Sequence, residues 1–159
     1  MEIEVVIEIP KGSRNKYEID HESGALWLDR HLFSAVQYPA DYGFVPDTLA
    51  EDGDPLDVLV LLDEPTVPGC HISARPVGVF WMRDEAGPDA KVLCVPATDP
   101  RWADTNDLDD VAEHLRGEIR HFFEIYKDLE PEKSSHVRDW DDRTVAERVV
   151  EESRARYEG

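Results

Sequence analysis

Short runs in which apolar residues cluster or alternate with polar ones occupy much of the chain before Pro100, and such runs are typical of β-strands. Turn-forming residues separate them, and Glu22-Ser23-Gly24 joins two runs into a predicted hairpin. Residues 31–55 are rich in Pro and Gly, which predicts a long loop. The predicted strands cover residues 5–9, 17–20, 25–30, 56–62, 72–82 and 91–95.

The apolar spacing changes after Pro100 to the interval of about 3.6 residues that a helix requires. It predicts a helix over about 112–128, whose buried face comprises Leu115, Ile119, Phe122 and Tyr126. Thr144 and Glu147 have the spacing of a capping box and predict the start of a terminal helix. Its inner face comprises Val145, Val149, Ser153 and Tyr157. Strands followed by helices predict an α+β protein with a mainly β core, a curled antiparallel sheet and a single domain over residues 1–159.

The formal net charge of −19, from 36 acidic and 17 basic side chains, argues against the basic surface that nucleic-acid binding needs. Cys70 and Cys94 lie in apolar stretches without CxxC spacing, which predicts buried, reduced thiols. The acidic N-terminal residues lack the basic region of a signal peptide, and no apolar run approaches the ~18 residues of a membrane span. We therefore expect a cytoplasmic protein whose partners include neither nucleic acid nor a membrane.

Three carboxylates fall within six positions in the segment Asp52-Gly53-Asp54-Pro55-Leu56-Asp57-Val58. Its Gly and Pro favour turn geometry and limit the freedom of the loop. Carboxylates this close repel one another unless shifted pKa values or bound cations compensate. Such oxygen clusters suit hard divalent metals, namely Mg²⁺, Mn²⁺ or Ca²⁺. The spacing does not fit an EF-hand, in which Asp57 would occupy the obligatory Gly position. The segment therefore predicts a metal site of another kind.

Further carboxylates stand where the fold could bring them to the same pocket. Asp84 and Asp89 flank the Gly87-Pro88 turn, and Glu8 and Glu18 lie on the first two predicted strands. If the strand that follows Asp57 pairs near residues 84–91, these side chains converge on a site for more than one metal. For Asp84 and Asp89 taken alone, solvated turn residues are the alternative.

A set of basic and phenolic side chains accompanies the carboxylates, and each of them alone could be a surface salt-bridge partner. Together with metals they predict a pocket for a highly charged anion, because Lys, Arg and Tyr donate hydrogen bonds to phosphate oxygens. Mg²⁺ suits such a pocket, since it commonly binds through a few carboxylates plus substrate phosphates. The set comprises Lys16, Arg30, Tyr42, Lys91, Tyr126 and Lys127.

Ordered blocks of sequence surround the carboxylate segment at spacings that match a known family. The blocks are Ile7-Glu8-Ile9-Pro10, Asn15-Lys16-Tyr17-Glu18, Leu28-Asp29-Arg30, Tyr38-Pro39-Ala40-Asp41-Tyr42-Gly43, Arg75-Pro76-Val77-Gly78, Asp84-Glu85-Ala86-Gly87, Asp89-Ala90-Lys91, His121-Phe122-Phe123-Glu124 and Tyr126-Lys127-Asp128-Leu129. On these blocks, and on the full carboxylate segment, the chain resembles the family I soluble inorganic pyrophosphatases in their short bacterial form. The resemblance covers roughly residues 3–130.

This resemblance implies an OB-like five-stranded antiparallel barrel with flanking C-terminal helices. It implies Mg²⁺-dependent hydrolysis of inorganic diphosphate (pyrophosphate) to two phosphates by a metal-activated water, with several Mg²⁺ ions in each site. Mn²⁺ or Zn²⁺ are possible substitutes, and Ca²⁺ is expected to inhibit because its looser coordination geometry misplaces the water. The family also implies a homo-oligomer, namely a homohexamer.

The resemblance assigns roles residue by residue. The metal-site carboxylates correspond to Glu8, Asp52, Asp57, Asp84 and Asp89. The substrate-binding positions correspond to Lys16, Arg30, Tyr42 and Tyr126, and further polar positions of the site to Glu18, Tyr38, Lys91 and Lys127. Asp54 resembles the carboxylate that takes a proton from the attacking water, and Asp89 is the alternative.

Two other functions remain open from the residues alone. One is an OB-like binding module that has kept a metal site and lost turnover. The other is a calcium-binding structural protein, which predicts stabilisation by Ca²⁺ without phosphate chemistry. After Leu129 the chain departs from the family pattern just before Val137, where relatives usually carry an aromatic or bulky residue and this chain has His136. The roles of His21 and of residues 130–159 stay open.

Overall fold

Eight strands and two α-helices make up the structure, a computed structural model that describes residues 1–159. Two short 3₁₀ turns, Pro100–Trp102 and Leu108–Asp110, lie between the last barrel strand and the first helix. The strands are β1 (Ile3–Ile9), β2 (Asn15–Ile19), β3 (Leu26–His31), β4 (Asp41–Val45), β5 (Leu56–Val60), β6 (His71–Asp84), β7 (Gly87–Pro96) and β8 (Ser135–Asp142), and the helices are α1 (Glu113–Ile125) and α2 (Arg143–Glu158).

Five of the strands close into a ring. The order β1-β4-β5-β7-β6 is completed by pairing of β6 with β1, and β8 adds to the outer edge of β6. The expected five-stranded OB-like barrel is therefore confirmed. Its pairings are antiparallel except for β5 with β7, which run parallel. The exception arises because β7 returns from the β6–β7 hairpin into the space beside β5, so the expectation of a wholly antiparallel sheet is corrected at this one seam.

The hairpin predicted around Gly24 is also confirmed, as β2 and β3 pair in a separate two-stranded sheet outside the ring. Strand β4 falls inside the stretch predicted as loop. Gly43 explains the error, because a Cβ at this position would collide with the backbone oxygen of Val6 on the paired strand. The close approach of two strands requires the glycine here, although glycine in a sequence indicates a turn.

Strand β8 lies between the two helices, where no strand was predicted. Its eight residues are largely exposed or half-buried, and it pairs only with β6 at the edge of the sheet. An edge strand of this kind needs little apolar sequence, since one partner strand supplies its hydrogen bonds. The simple order of strands first and helices last is therefore wrong at this point.

The two helices pack against the barrel in two different apolar cores. In one, Ile119 and Phe123 of α1 pack with Phe80 and Leu93 of the barrel. In the other, Ala146, Val149 and Val150 of α2 pack with barrel residues that include Val58 and Val92. Burying an aliphatic or aromatic side chain of this size contributes roughly 1.5–3 kcal/mol. Each helix is therefore held to the barrel by its own apolar face, as the helical spacing predicted.

The start of α2 differs from the capping box predicted at Thr144 and Glu147. Asp142 is the N-cap, and its Oδ1 accepts a hydrogen bond from the backbone N–H of Val145 over 3.1 Å. Asp142 ends β8 in an extended conformation, which places its side chain at the free N–H groups of the first helical turn. On the inner face Ser153 is buried, whereas Tyr157 is 55% exposed and lies outside the core.

The two cysteines are unpaired, and only Cys94 is fully buried, so the expectation of a buried thiol is wrong for the half-buried Cys70. Neither helix combines the length and the apolar character that crossing a membrane requires.

Candidate active site

A cavity of about 310 Å³ opens between the barrel, the β2–β3 hairpin and the turn that follows α1. It is lined mostly by charged and polar side chains. All of the predicted site residues except Tyr38 line it, namely Glu8, Lys16, Glu18, Arg30, Tyr42, Asp52, Asp54, Asp57, Asp84, Asp89, Lys91, Tyr126 and Lys127. Residues from many separate stretches of sequence are thus brought together, as the convergence argument predicted.

Strand pairing explains much of this convergence. The parallel seam sets Asp57 of β5 beside Lys91 of β7, and the β6–β7 hairpin carries Asp84 and Asp89 at the same end of the barrel. Glu8 reaches the cavity through a β-bulge. Between β1 and β4 the register shifts at this residue, and such an extra residue bends the strand and re-aims its side chain.

The ammonium group of Lys91 lies under the carboxylates at the floor of the cavity. Its Nζ donates hydrogen bonds to Tyr42 Oη at 2.8 Å, Asp89 Oδ2 at 3.0 Å and Asp57 Oδ2 at 3.1 Å. Lys91 is only 2% exposed. Burial alone would lower its pKa, but the charges of Asp57 and Asp89 outweigh burial and raise the pKa well above its usual value, so the lysine is charged.

The carboxylate loop of residues 52–57 has its own backbone scaffold. Gly53 has a φ of 91°, a left-handed conformation that glycine adopts without strain. The backbone N–H of Asp54 donates to Asp52 Oδ1 at 3.0 Å, and the N–H of Ala50 donates to the carbonyl of Asp54 at 2.7 Å. These bonds hold Asp52 and Asp54 in a turn whose side chains point to the cavity rim.

Helix α2 supports the base of this loop. The backbone N–H of Leu49 donates to the carbonyl of Ser153 at 2.9 Å. The guanidinium of Arg156 donates to the carbonyl of Leu49 at 2.6 Å. Both backbone polar groups of Leu49 are therefore satisfied by the C-terminal helix, which connects residues 130–159 to the site.

Several of the cavity carboxylates carry raised pKa values. Burial raises the pKa of Glu8 to about 7, against a hydrogen bond from the N–H of Ile19 that lowers it and the charge of Asp57 that raises it further. Burial also raises the pKa of Asp89 to about 6, although Lys91 opposes the shift. The pKa of Asp52 is raised too, chiefly by partial burial. The cavity is also lined by eight Asp and Glu side chains against five Lys and Arg side chains, so its acidic groups outnumber its cations.

The β2–β3 hairpin contributes cationic side chains to the cavity. Lys16 and Arg30 face each other across the β2–β3 hairpin, and both pair with Asp29. Asp29 is the extra residue of a second β-bulge, between Lys16 and Tyr17. Burial alone would raise its pKa, but the two cations outweigh burial and lower it.

Lys127 adds a further cation beside the β6–β7 turn. Its Nζ lies 3.2 Å from Glu85 Oε1 and 3.7 Å from Asp84 Oδ2. Glu85 also pairs with Lys133 at 3.3 Å. Burial alone would raise the pKa of Glu85, but hydrogen bonds from its own backbone and from these two lysines together outweigh burial and lower the pKa to about 2. Glu85 therefore stays ionised and fixes Lys127 at the rim.

Tyr38 lies behind the cavity wall. It is 1% exposed and packs against Tyr42 and Phe122 at ring-centroid distances of 5.5 and 4.7 Å. Burial raises the pKa of its hydroxyl above the usual range. The structure places Tyr38 as support for Tyr42 and not among the lining side chains.

Sequence reasoning assigned no role to four residues that the structure brings to the site: Asp29, Glu85, Glu130 and Lys133. Asp29 and Glu85 lay inside matched blocks, which was the available signal for them. Glu130 follows the last matched block, and its contact with Arg30 depends on the fold and could not be inferred from the sequence.

The donor chemistry of the cavity fits a hard divalent cation. Its potential ligands are carboxylate oxygens, which Mg²⁺ prefers, and these carboxylates outnumber the Lys and Arg side chains of the cavity. No three acidic, histidine or cysteine side chains enclose a ready-made metal position. Lys91 instead bridges Asp57 and Asp89. Closure of the carboxylates around an ion therefore requires side-chain movement.

Comparison with known proteins gives concordant results. A family model described as inorganic pyrophosphatase matches residues 5–158. The inorganic pyrophosphatase of Streptomyces coelicolor is 61% identical over 157 residues, which cover 99% of this chain and 96% of that relative. The inorganic pyrophosphatase of Methanosarcina mazei is 53% identical over 153 residues, which cover 96% of this chain and 90% of that relative.

Solved structures agree over the same length. The structure of inorganic pyrophosphatase from Thermus thermophilus has a TM-score of 0.97 and 51% identity, covering 99% of this chain and 92% of that chain. The inorganic pyrophosphatase of Helicobacter pylori has a TM-score of 0.97 and 48% identity, covering 99% of this chain and 94% of that chain.

Proposed function

The chain belongs to the inorganic pyrophosphatase family of enzymes, which hydrolyse pyrophosphate, and from this premise we propose that it performs the reaction with Mg²⁺ and a metal-activated water. The observation that supports the proposal is the single cavity whose lining combines the carboxylates with Lys, Arg and Tyr side chains. An anionic substrate and an acidic protein are compatible only if cations lie between them. The cavity offers carboxylates that can bind the cations, and Lys, Arg and Tyr side chains that can bind the substrate.

The carboxylates that would hold Mg²⁺ are those that resemble the family's metal ligands: Glu8, Asp52, Asp57, Asp84 and Asp89. When bound there, Mg²⁺ would neutralise phosphate charge and lower the pKa of a water molecule from its bulk value of about 15.7. Asp57 and Asp89 already share the ammonium of Lys91, which keeps both carboxylates at the floor of the cavity.

The protein's own groups perform the proton step. Asp54 accepts the proton of the attacking water, since it lies at the open rim, and the bond from its N–H to Asp52 fixes its backbone. Asp89 is the alternative acceptor, because burial raises its pKa to about 6, nearer to neutral pH. The water oxygen bonds to one phosphorus, the bond from that phosphorus to the bridging oxygen breaks, and two phosphates result.

The basic and phenolic side chains of the cavity bind the substrate. Arg30, Tyr126 and Lys127 hold one phosphate, while Lys16 neutralises charge that develops on the other. Arg30 and Lys16 are tied to Asp29, and Lys127 is tied to Glu85. These pairs position the cations before substrate arrives, which reduces the reorganisation that the reaction requires. Glu18 and Tyr42 complete the polar lining, and Tyr38 supports Tyr42 from behind.

We propose further that residues 1–159 act as one functional domain in a cytoplasmic homohexamer. The exposed apolar side chains Leu26, Trp27, Leu28 and Phe33 support association of subunits. The unpaired cysteines support a reducing compartment. Sedimentation velocity of the purified protein tests the subunit number, and a monomer at micromolar concentration would contradict the hexamer.

The decisive experiment measures phosphate release from pyrophosphate by the purified protein in Mg²⁺, in other divalent metals and after chelation. We expect turnover with Mg²⁺, some turnover with Mn²⁺ or Zn²⁺, inhibition by added Ca²⁺ and none after chelation. ATP and a simple phosphate monoester serve as competing substrates and should release far less phosphate. A folded protein that releases no phosphate from pyrophosphate with Mg²⁺ present would end the proposal.

A further inference from the structure

Arg30 reaches the cavity from an element that the barrel does not contain. Strand β3 belongs to the separate β2–β3 sheet, and its residues Leu26, Trp27 and Leu28 are 46–64% exposed. No strand of the barrel pairs with it. Tyr17 and Leu32 pack against the barrel core and the N–H of Ile19 donates to Glu8, so the hairpin is docked on the barrel by its other residues. The position of the guanidinium at the end of its long side chain depends in addition on the groups that contact it.

Glu130 provides such a contact from the other side of the cavity. Its Oε1 lies 2.8 Å from Nε of Arg30, and its side chain is 3% exposed. It follows α1 in a tight turn, where its backbone N–H donates to the carbonyl of Lys127 at 2.9 Å. The same turn carries Tyr126, which also lines the cavity. One ion pair thus joins the hairpin cation to the turn that bears two other substrate groups.

The two partners of this ion pair differ in whether another group of opposite charge is available to them. Arg30 has a second carboxylate partner, Asp29, whereas Glu130 has no other cation within ion-pair distance. The remaining carboxylate oxygen of Glu130 is buried and has no hydrogen-bond donor, and Nε of Arg30 contacts Oε1 as an ion pair without hydrogen-bond geometry. A buried carboxylate without a partner is strongly unfavourable. Glu130 can therefore be accommodated only with the Arg30 guanidinium against it, which fixes where Arg30 lies.

A purely structural carboxylate would not be expected in this place. Stability alone is served as well or better by an apolar side chain in a buried position, since burying an ion pair costs desolvation of both charges. The observed arrangement instead gives up stability to fix a cation at the cavity wall. Such a cost is characteristic of sites where preorganised charge assists binding or catalysis.

We propose that Glu130 is a positioning residue, which holds the guanidinium of Arg30 in register with Tyr126 and Lys127 so that the three groups bind one phosphate as a unit. Glu130 itself does not touch the substrate. The inference deepens the proposed function and rests on the substrate-binding role given there to Arg30. It also assigns a role to the first residue of the segment 130–159, which the sequence left without one.

The test is a double-mutant cycle between Glu130→Gln and Arg30→Ala. We expect Glu130→Gln to raise the KM for pyrophosphate and to weaken binding of the inert analogue imidodiphosphate about tenfold, because the guanidinium loses the buried charge that fixes its position. In the Arg30→Ala background, the same substitution should have almost no further effect on either quantity. Equal losses in both backgrounds would show that Glu130 does not act through Arg30.

Stability is measured in the same four proteins by urea unfolding. Arg30→Ala leaves Glu130 buried and unpaired, so the double variant should be more stable than Arg30→Ala alone. Asp128→Asn, an exposed change in the same turn, is the matched control and should leave KM and stability unchanged. A folded Glu130→Gln protein with unchanged KM and analogue binding would overturn the inference.

A readout without substrate separates this inference from the proposed function. The Nε–H of Arg30 should exchange slowly with water in the metal-free wild-type protein and faster in Glu130→Gln, as followed by ¹⁵N NMR of the arginine side chains. If the wild-type protein fails to hydrolyse pyrophosphate, the exchange difference still tests the contact. Equal exchange rates in both proteins would overturn the positioning role whatever the activity.

Discussion

The Nζ atom of Lys91 lies 3.0 Å from Oδ2 of Asp89, and both groups are almost completely removed from solvent. The same ammonium reaches Asp57, so one internal cation serves two of the proposed metal ligands. In the metal-free protein, Lys91 therefore offsets part of the repulsion between these carboxylates. The ammonium of Lys91 is thus a permanent counter-charge for the carboxylates, whereas the proposed metal ions are exchangeable ones.

Replacing Lys91 by Met should destabilise the metal-free protein by about 3–5 kcal/mol, because two carboxylates lose their buried counter-charge. Urea unfolding in the presence of a chelator measures the loss. Mg²⁺ should restore part of the difference by supplying the missing positive charge. Lys11→Met changes an exposed lysine and is the control. Equal stability of Lys91→Met and wild type without metal would contradict the role of Lys91.

Asp57→Asn should lower the rate of phosphate release by at least about 10²–10³, the usual consequence of losing one key electrostatic contact in an active site. The asparagine keeps an oxygen for Lys91, so the melting temperature should change little. Phosphate release and calorimetry are measured on the same preparation. Asp63→Asn alters an exposed carboxylate that pairs with Arg101 and should retain full activity. A large loss of stability with activity retained would refute the assignment.

The stability of the metal-free protein should fall as pH rises from about 5 to 8. Burial raises the folded-state pKa of Glu8 from 4.5 to about 7, so the folded protein keeps a proton that the unfolded chain releases. The resulting stabilisation is complete below the unfolded pKa and is lost as pH rises through the folded value. Glu8→Gln should remove this part of the pH dependence, at most about 3 kcal/mol.

Urea unfolding of wild type and Glu8→Gln at several pH values, with chelator present, measures this difference. All other ionisable groups are common to the two proteins, so their contributions cancel in the comparison. Saturating Mg²⁺ should flatten the wild-type profile, because the metal favours the ionised carboxylate. Parallel profiles for the two proteins without metal would show that Glu8 does not carry the effect.

Arg156→Ala should weaken Mg²⁺ binding about 2–10-fold, because the carboxylate loop loses one of its two bonds to α2, and a bond of this kind is worth roughly that factor. Calorimetric titration with Mg²⁺ measures the affinity. Amide hydrogen exchange at residues 49–54 should become faster. Arg148→Ala, whose guanidinium pairs only with Glu152 of the same helix, is the control. Unchanged affinity and exchange would show that the loop needs no support from Arg156.

The sequence predicted most of the fold because the signals were local. Alternating residues gave the β2–β3 hairpin, and a regular apolar spacing gave α1. Strand β4 was missed because Gly43 serves a close approach between strands that no local pattern reveals. Strand β8 was missed because an edge strand can be polar on most of its surface.

The sequence predicted which residues make up the candidate site but not which of their side chains form ion pairs. The carboxylate segment and the family blocks identified the lining side chains. Their ion pairs depend on strand register and on the position of the hairpin, which bring Lys91 under Asp57 and Glu130 against Arg30. Such pairings join residues distant in sequence. Only the three-dimensional arrangement distinguishes a supporting charge, such as Lys91, from one exposed to substrate.

The bond from Leu49 to Ser153 has a consequence for biosynthesis. The ribosome makes the carboxylate loop first and α2 roughly 5–20 s later, at ordinary elongation rates of about 5–20 residues per second. Until α2 has left the exit tunnel, the loop lacks the anchor that orients its side chains. We therefore expect a nascent chain with residues 1–130 exposed to have its barrel sequence complete yet to capture magnesium poorly, so that metal uptake is delayed until translation is nearly finished.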